Sequence, residues 1–262
     1  MVGQQDNNNR TDVFLFDRVS NSMTLISGAL GSSSLTANGD SYPSAISADG
    51  SWVLFQSDAS NVISGVTDSN GSWDVFLYER SSGTTTLVSR ALGSATSTPN
   101  NQSIPTAISA DGNWVLFYSG ATNLVSGVTD INAGTWDVFL FERSSGTTTL
   151  VSRALGSATT TANGNSISTA LSADGNQVLF RSTASNVISG LNDSNSSDDV
   201  FLFDRTTGTT TLVSRALGSA TTTANNSSFP TAISADGNQV LFSSRATNVI
   251  SGVTDSNSVS VR

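Results

Sequence analysis

One heptapeptide, Asp-Val-Phe-Leu-Phe/Tyr-Asp/Glu-Arg, returns at Asp12–Arg18, Asp74–Arg80, Asp137–Arg143 and Asp199–Arg205, at intervals of 62, 63 and 62 residues. A second phrase, Ser-Ala-Asp-Gly followed by an apolar run, falls between these copies at Ser47–Phe55, Ser109–Phe117, Ser172–Phe180 and Ser234–Phe242. A fixed period of this order marks solenoids, propellers or arrays, because one unit cannot bury its own apolar face without a neighbour. Whatever chemistry the chain carries is therefore expected once per repeat.

The second copy shows how a unit is built. Ser44–Ser47 reads as a short first strand, and Asp49-Gly50 as a tight hairpin turn that needs positive φ. Ser51–Ser57 returns as the second strand, and a polar loop over Asp58–Trp73 leads to the third, Asp74–Arg80. Ser81-Ser82-Gly83 turns the chain into a fourth, Thr84–Arg90. No helical period competes with this pattern. Val53-Leu54-Phe55 and Val75-Phe76-Leu77-Tyr78 are apolar on consecutive residues, so both faces of the sheet must be covered. A sheet with one wet face would alternate instead.

Four-stranded sheets buried on both sides predict an all-β fold, a four-bladed β-propeller with antiparallel blades, and a straight solenoid is the alternative. Residues 1–262 are read as one propeller domain of four repeats. The chain opens on third and fourth strands at 12–27 and ends on first and second strands at 230–244, so both termini are expected to close the last blade and hide two sheet edges. Ala45, Ala107, Ala170 and Ala232 form a small-residue column suited to crowding near an axis. Residues Gly252–Val261 repeat the phase of Gly3–Asp12, which leaves one loop copy over and suggests an excerpt of a longer array.

Composition removes chemistry. There is no Cys and no His, and all eleven basic residues are Arg. Imidazole bases, thiolates, Schiff-base lysines and Cys/His zinc sites are thereby excluded. The net charge of −9 argues against nucleic acid, whose binding needs a basic patch. No apolar run nears the roughly 18 residues of a membrane span, so no membrane insertion is expected. Residues 1–20 lack a signal-peptide core.

The phrase Pro-x-Ala-Ile-Ser-Ala-Asp-Gly-x-x-Val-Leu-Phe-x-Ser fits Pro43–Ser57, Pro105–Ser119 and Pro230–Ser244, with Ser168 at the proline of the remaining copy. Followed by Thr-Asp-x-Asn and Asp-Val-Phe-Leu, it resembles the TolB-type, WD-like β-propeller repeat of bacterial proteins. The resemblance covers nearly the whole chain. It implies the fold, and for function it implies only the range such propellers serve: binding platforms, periplasmic or extracellular modules, and enzyme appendages.

The candidate site is the polar loop before each third strand. It reads Asp6, Asn8, Asp12; Asp68, Asn70, Asp74; Asp130, Asn132, Asp137 with one extra residue; and Asp193, Asn195, Asp199. Oxygen side chains at first and third positions with a closing carboxylate suit calcium, which takes six to eight oxygens in irregular geometry. The pattern is similar to, but shorter than, the loops of dockerins and integrin-like propellers. The competing reading is that Asp and Asn make turns by bonding their own backbone. Asp255 and Asn257 begin a fifth copy, but Val261 stands at its closing acid. The hairpin acids Asp49, Asp111, Asp174 and Asp236 read as structural.

Trp52 and Trp114 share a column with Gln177 and Gln239, and Trp73 and Trp136 share one with Thr11 and Asp198. Such positions point outward, where an indole can stack on a sugar or pack on a neighbouring loop. The sequence is thus read as a non-enzymatic binding or scaffold propeller, stabilised by calcium, outside the cytoplasm, and either a monomer or a ring-completing dimer. Its ligand is an unnamed protein or carbohydrate. A lectin-like propeller is the first alternative. A carboxylate-based lyase or hydrolase is the second, disfavoured because acid/base pairs need unequal environments.

Overall fold

The computed structural model describes residue 6 and residues 8–132 and 134–252. Sixteen strands lie among them. Three complete antiparallel sheets follow one another along the chain. The first is β3 (Ser41–Ile46), β4 (Trp52–Ser57), β5 (Asp74–Glu79) and β6 (Thr84–Leu87). The second is β7 (Ser103–Ile108), β8 (Trp114–Ser119), β9 (Asp137–Glu142) and β10 (Thr147–Leu150). The third is β11 (Ser166–Leu171), β12 (Gln177–Ser182), β13 (Asp199–Asp204) and β14 (Thr209–Leu212). Two half-blades flank them: β1 (Phe14–Asp17) with β2 (Ser22–Leu25), and β15 (Ser228–Ile233) with β16 (Val240–Ser244).

The consecutive apolar residues do what their pattern requires. Leu54, Val75, Leu77 and Val88 face the next sheet and pack on its Val115, Phe117, Phe139 and Phe141. Val53, Phe55, Phe76 and Tyr78 face the preceding half-blade and pack on its Val13 and Ile26. The same division recurs one sheet on, where Leu116, Val138 and Leu140 meet Val178, Phe180, Phe201 and Phe203. Each interior sheet is therefore covered on both sides by its own duplicates.

First strands of successive sheets touch one another, β3 with β7, β7 with β11 and β11 with β15, as innermost strands of a propeller do. The hairpins beside them are stitched across blades by Ala48 N–H to Ala110 O (3.1 Å), Ala110 N–H to Ala173 O (2.8 Å) and Ala173 N–H to Ala235 O (2.9 Å). The half-buried alanine column Ala45, Ala107, Ala170 and Ala232 sits on these strands. Each first strand carries a register shift before that alanine. Pro43, Pro105 and Pro230 fall at the shift, where a missing N–H is tolerated. Ser168 keeps the shift without a proline, so the bulge belongs to the packing rather than to the imino ring.

The ends differ from the sequence expectation. β1–β2 and β15–β16 stand as two separate two-stranded sheets, rather than as the single blade expected from both termini. Four successive interfaces carry the chain from half-blade to half-blade, and β16 and β1 remain in different sheets. The surplus loop copy at 253–261, with Asp255 and Asn257, and the Gly3 phase lie outside the described residues.

Candidate functional site

In each polar loop, the first aspartate caps the turn that follows it. Asp68 Oδ1 accepts from the backbone N–H groups of Asn70 (3.1 Å) and Gly71 (2.8 Å), and from Thr98 Oγ1 (3.4 Å). Asp193 Oδ1 does the same for Asn195 and Ser196, and Asp6 Oδ1 for Asn8 and Asn9. Asp130 accepts from Asn132 N–H, Gly134 N–H and Thr161 Oγ1, the extra residue having spread the turn over both its oxygens. This is the Asx-turn chemistry of aspartate.

The asparagine ties the loop to its surroundings. Asn70 Oδ1 accepts from Ser72 N–H at 2.7 Å. Its Nδ2 donates toward Asp74 Oδ1 (3.3 Å), Pro99 O (2.9 Å) and Asn101 O (3.3 Å). Asn195 repeats this with Ser197 N–H, Asp199, Ala224 O and Asn226 O. Asn132 donates to Asp137 Oδ1 and Gly164 O. Asn8 donates to Ala37 O.

The closing aspartate is buried at the foot of the third strand in the three complete blades. Asp74 Oδ1 accepts from Ser89 Oγ at 3.2 Å, and Ser89 Oγ in turn accepts Val75 N–H at 2.9 Å. Ser152 serves Asp137 and Val138 likewise, as Ser214 serves Asp199 and Val200, and Ser27 serves Asp12 and Val13. Burial pushes Asp74 up to about 8, and Asp137 and Asp199 up to about 7, against hydrogen bonds from the serine and asparagine that pull down. Asp12, only partly buried, is raised by the same cause. The serine column Ser27, Ser89, Ser152 and Ser214 was not singled out in the sequence. Its constant place one residue before a basic or glycine position, after Leu-Val or Leu-Ile, was the available signal.

In this structure the donor set is arranged as hydrogen-bonded turns. Where three oxygens converge, the loop presents the amide Nδ2 of Asn70 rather than an oxygen. The asparagine oxygen is engaged by a backbone N–H, and burial favours the neutral form of the closing carboxyl. Among the described residues no group of three or more acidic side chains gathers.

Trp52 and Trp114 join blades. Arg143 lies 4.0 Å from the ring centre of Trp52, and Arg205 3.9 Å from that of Trp114. Each guanidinium also donates through Nε to the carbonyl of Gly112 or Gly175 in the same blade's hairpin. These glycines take positive φ, and a Cβ there would lie 2.2–2.3 Å from the indole Cδ1. Arg90 and Arg153 reach the other way, over Phe141 and Phe203 of the following blade. Arg80, from the same column as Arg143, pairs with Asp17. Trp73 packs on Tyr42 and Trp136 edge-on to Tyr118, with centroids 5.4 and 5.0 Å apart. The four indoles thus contact protein, and an arginine lies over the ring of Trp52 and of Trp114.

Four-stranded antiparallel sheets packed face to face, with their first strands adjacent, define a β-propeller-type array of repeated blades. The TolB-type resemblance of the repeat extends to this fold. Similar solved structures include TolB from Acinetobacter baumannii (18% identity, 93% of this chain and 48% of that one, TM-score 0.40). A structure ascribed to TolB from Agrobacterium tumefaciens has 15% identity, 91% and 67% coverage and a TM-score of 0.46. Porphyromonas gingivalis dipeptidyl peptidase 4 has 13% identity, 92% and 34% coverage and a TM-score of 0.50. At these identities the likeness concerns fold alone. The chain spans about half the length of the Acinetobacter protein. No protein-family model and no curated protein sequence matches the chain.

Proposed function

We propose that the chain is a non-enzymatic binding or scaffolding module of the β-propeller type. One observation carries this reading: the blades are chemically equivalent. Asp74, Asp137 and Asp199 sit in the same hydrogen-bond network and are raised by the same burial. Acid/base catalysis by two carboxylates needs environments that drive their pKa values apart, and duplicated blades supply matching ones. Arg143 and Arg205 with Trp52 and Trp114 are engaged in joining blades, and Asn70 and Asn195 in closing loops. A groove of about 530 Å³ between the first two complete blades, lined by Arg90, Leu92, Leu124 and Thr148, gives a ligand somewhere to sit. Placement in the periplasm or outside the cell accompanies this reading, as the TolB-type resemblance implies. No helix among the described residues is long and apolar enough to cross a membrane.

Calcium stabilisation is the second reading. The charge of Asp68 beside Asp74, and of Asp193 and Asp198 beside Asp199, favours a cation there. The geometry of the asparagine amide favours the hydrogen-bonded turn instead. The functional test is to incubate the chain with acidic oligosaccharides and with peptides, with and without divalent metal, while a parallel glycan array scores binding. No turnover is expected. Measurable product formation abolished by Asp74→Asn, Asp137→Asn and Asp199→Asn together would replace the scaffold with an enzyme, and sugar binding without turnover would select the lectin.

A further inference from the structure

We propose that the cleft between the second and third complete blades binds a small oxyanion, a carboxylate or a phosphate, through Arg153 and Arg205, and that Arg90 and Arg143 repeat this site at the preceding interface. This goes beyond the binding-module reading, which names no ligand and draws on a different groove.

Register explains why these side chains meet. On the second complete blade, the row facing the third runs past Leu140 to Glu142, which pairs across the sheet with Trp114 on one side and Thr147 on the other. Opposite this row, the third blade presents Phe203, then Arg205 and the turn glycine Gly208, while Arg153 follows β10. Together they line a cleft of about 250 Å³. Sites for drug-sized ligands run to roughly 300–1,000 Å³, so this one suits a small ion or metabolite.

Both guanidiniums are fixed before any ligand arrives. Arg205 lies 3.9 Å from the ring centre of Trp114, donates through Nε to Gly175 O at 3.1 Å, and donates also to Asn176 Oδ1. Arg153 lies 5.1 Å from the ring centre of Phe203 and donates to Gly208 O at 2.6 Å. Gly208 takes φ of 69°, and a Cβ there would lie 2.9 Å from the Arg153 nitrogen, so the missing side chain makes the seat. A guanidinium carries five N–H donors in a planar fork. One donor of Arg153 and two of Arg205 are taken, and the rest have no acceptor among the described residues.

Charge is the second observation. The chain carries −9, yet among the described residues neither Arg153 nor Arg205 forms an ion pair, whereas Arg10, Arg80 and Arg181 each pair with an aspartate. Glu142, the acid of the cleft, is bonded by Ser145 Oγ at 2.6 Å instead. Two cations against one carboxylate leave the cleft positive on an acidic chain. Half-buried on aromatic rings, these cations are less screened than surface arginines. Their fork matches the paired oxygens of carboxylate or phosphate, and such charge-assisted bonds are roughly twice as strong as neutral ones.

The arrangement is built twice. At the preceding interface Arg143 covers Trp52 and donates to Gly112 O, Arg90 covers Phe141 and donates to Gly146 O, and Glu79 pairs with Trp52 as Glu142 does with Trp114. Two sites per chain follow.

Isothermal titration calorimetry at pH 7, with ionic strength held constant by sodium chloride, tests this with inorganic phosphate and with glycolate as separate probes. Saturable binding of at least one probe, near two per chain, is expected, and the probe that binds decides between phosphate and carboxylate. Arg153→Gln with Arg205→Gln should halve the stoichiometry, folding being checked by circular dichroism. Arg153→Lys with Arg205→Lys keeps the charge and the fold but loses the fork, and should weaken one of the two sites by about tenfold or more. Arg181→Gln, outside the cleft, should leave binding unchanged. No saturable binding of either probe, binding untouched by both paired substitutions, or binding lost with Arg181 instead would overturn the proposal. Such a failure leaves the scaffold reading in place, because that reading falls to turnover and not to the absence of an anion.

Discussion

The third complete blade and the half-blade that follows it carry nearly the same sequence and live in different surroundings. In β12, Val178, Leu179 and Phe180 are fully buried; in β16, the matching Val240, Leu241 and Phe242 are partly or largely open. Residue type, strand propensity and turn chemistry are equal between the two. What differs is the cover: β12 has β13 and β14 beside it in its own sheet and another sheet on its far side, and β16 has neither. In this fold, then, burial is conferred by the neighbouring copy and not by the strand, as a quasi-one-dimensional array requires.

The sharpest way to break this comparison is to delete the same ring in both settings. Phe117→Ala, in the middle of the second blade between two covering sheets, is expected to cost about 3–5 kcal/mol through lost transfer energy and an unfilled cavity. Phe14→Ala, at an open edge, is expected to change the unfolding free energy of the single chain by under about 1 kcal/mol, close to the range of surface substitutions. Urea unfolding of both variants at low protein concentration measures the contrast. Equal losses would mean that the half-blade is as well covered as the interior.

Titration sharpens the comparison next. Asp74, Asp137 and Asp199 are raised from 3.8 to about 8, 7 and 7, whereas the exposed hairpin acid Asp49 is drawn down to about 2 by the hydroxyls of Ser47 and Ser51 and the N–H of Ser51. A raised carboxyl holds its proton in the folded chain while the unfolded chain has lost it. The stability this contributes is fully present below about pH 4 and disappears as pH rises through about 7 to 8. Depressed acids such as Asp49 and Asp204 act oppositely, losing their contribution as pH falls from 3.8 toward 2. The melting temperature is therefore expected to be higher at pH 5 than at pH 8, by about 5 °C or more for three groups of this kind. Asp74→Asn, Asp137→Asn and Asp199→Asn combined should flatten the curve above pH 5. A melting temperature that rises from pH 5 to pH 8 would contradict the buried neutral carboxyls.

Much of the blade was legible from the residues. Val53-Leu54-Phe55 could be satisfied only by cover on both faces, and Asp49-Gly50 announced a hairpin whose Gly50 takes φ of 71°. The inter-blade contacts were less so, because Arg143 and Trp52 lie far apart in the chain and neither carries a local signal of the other. The same holds for Ser89, whose hydroxyl answers an aspartate 15 residues earlier. The separation of the two ends was beyond reach for another reason. It depends on the rotation between blades, which is set by how whole faces pack and not by the spacing of any motif. The polar loop itself was found from its residues, but the direction of the asparagine amide decides between an ion and a turn, and that direction is a property of the fold.

The smallest expected effect is the one that separates those two readings of the loop. If the amide of Asn70 fills the point where Asp74 Oδ1, Pro99 O and Asn101 O converge, calcium has neither a place nor a charged closing carboxylate to bind. Melting curves with millimolar calcium and with chelator should then coincide at neutral pH. At pH 8 the outcome is more telling, because Asp74 is by then partly ionised, and a cation that captured it would raise the melting temperature there while leaving pH 5 unchanged. A rise confined to pH 8, abolished by Asp68→Asn and Asp74→Asn together, would mean that ionisation turns the amide away and converts the turn into a metal loop. Coincident curves at both values would keep the loops as hydrogen-bonded struts, whose stability is set by burial in the same way as that of the strands they precede.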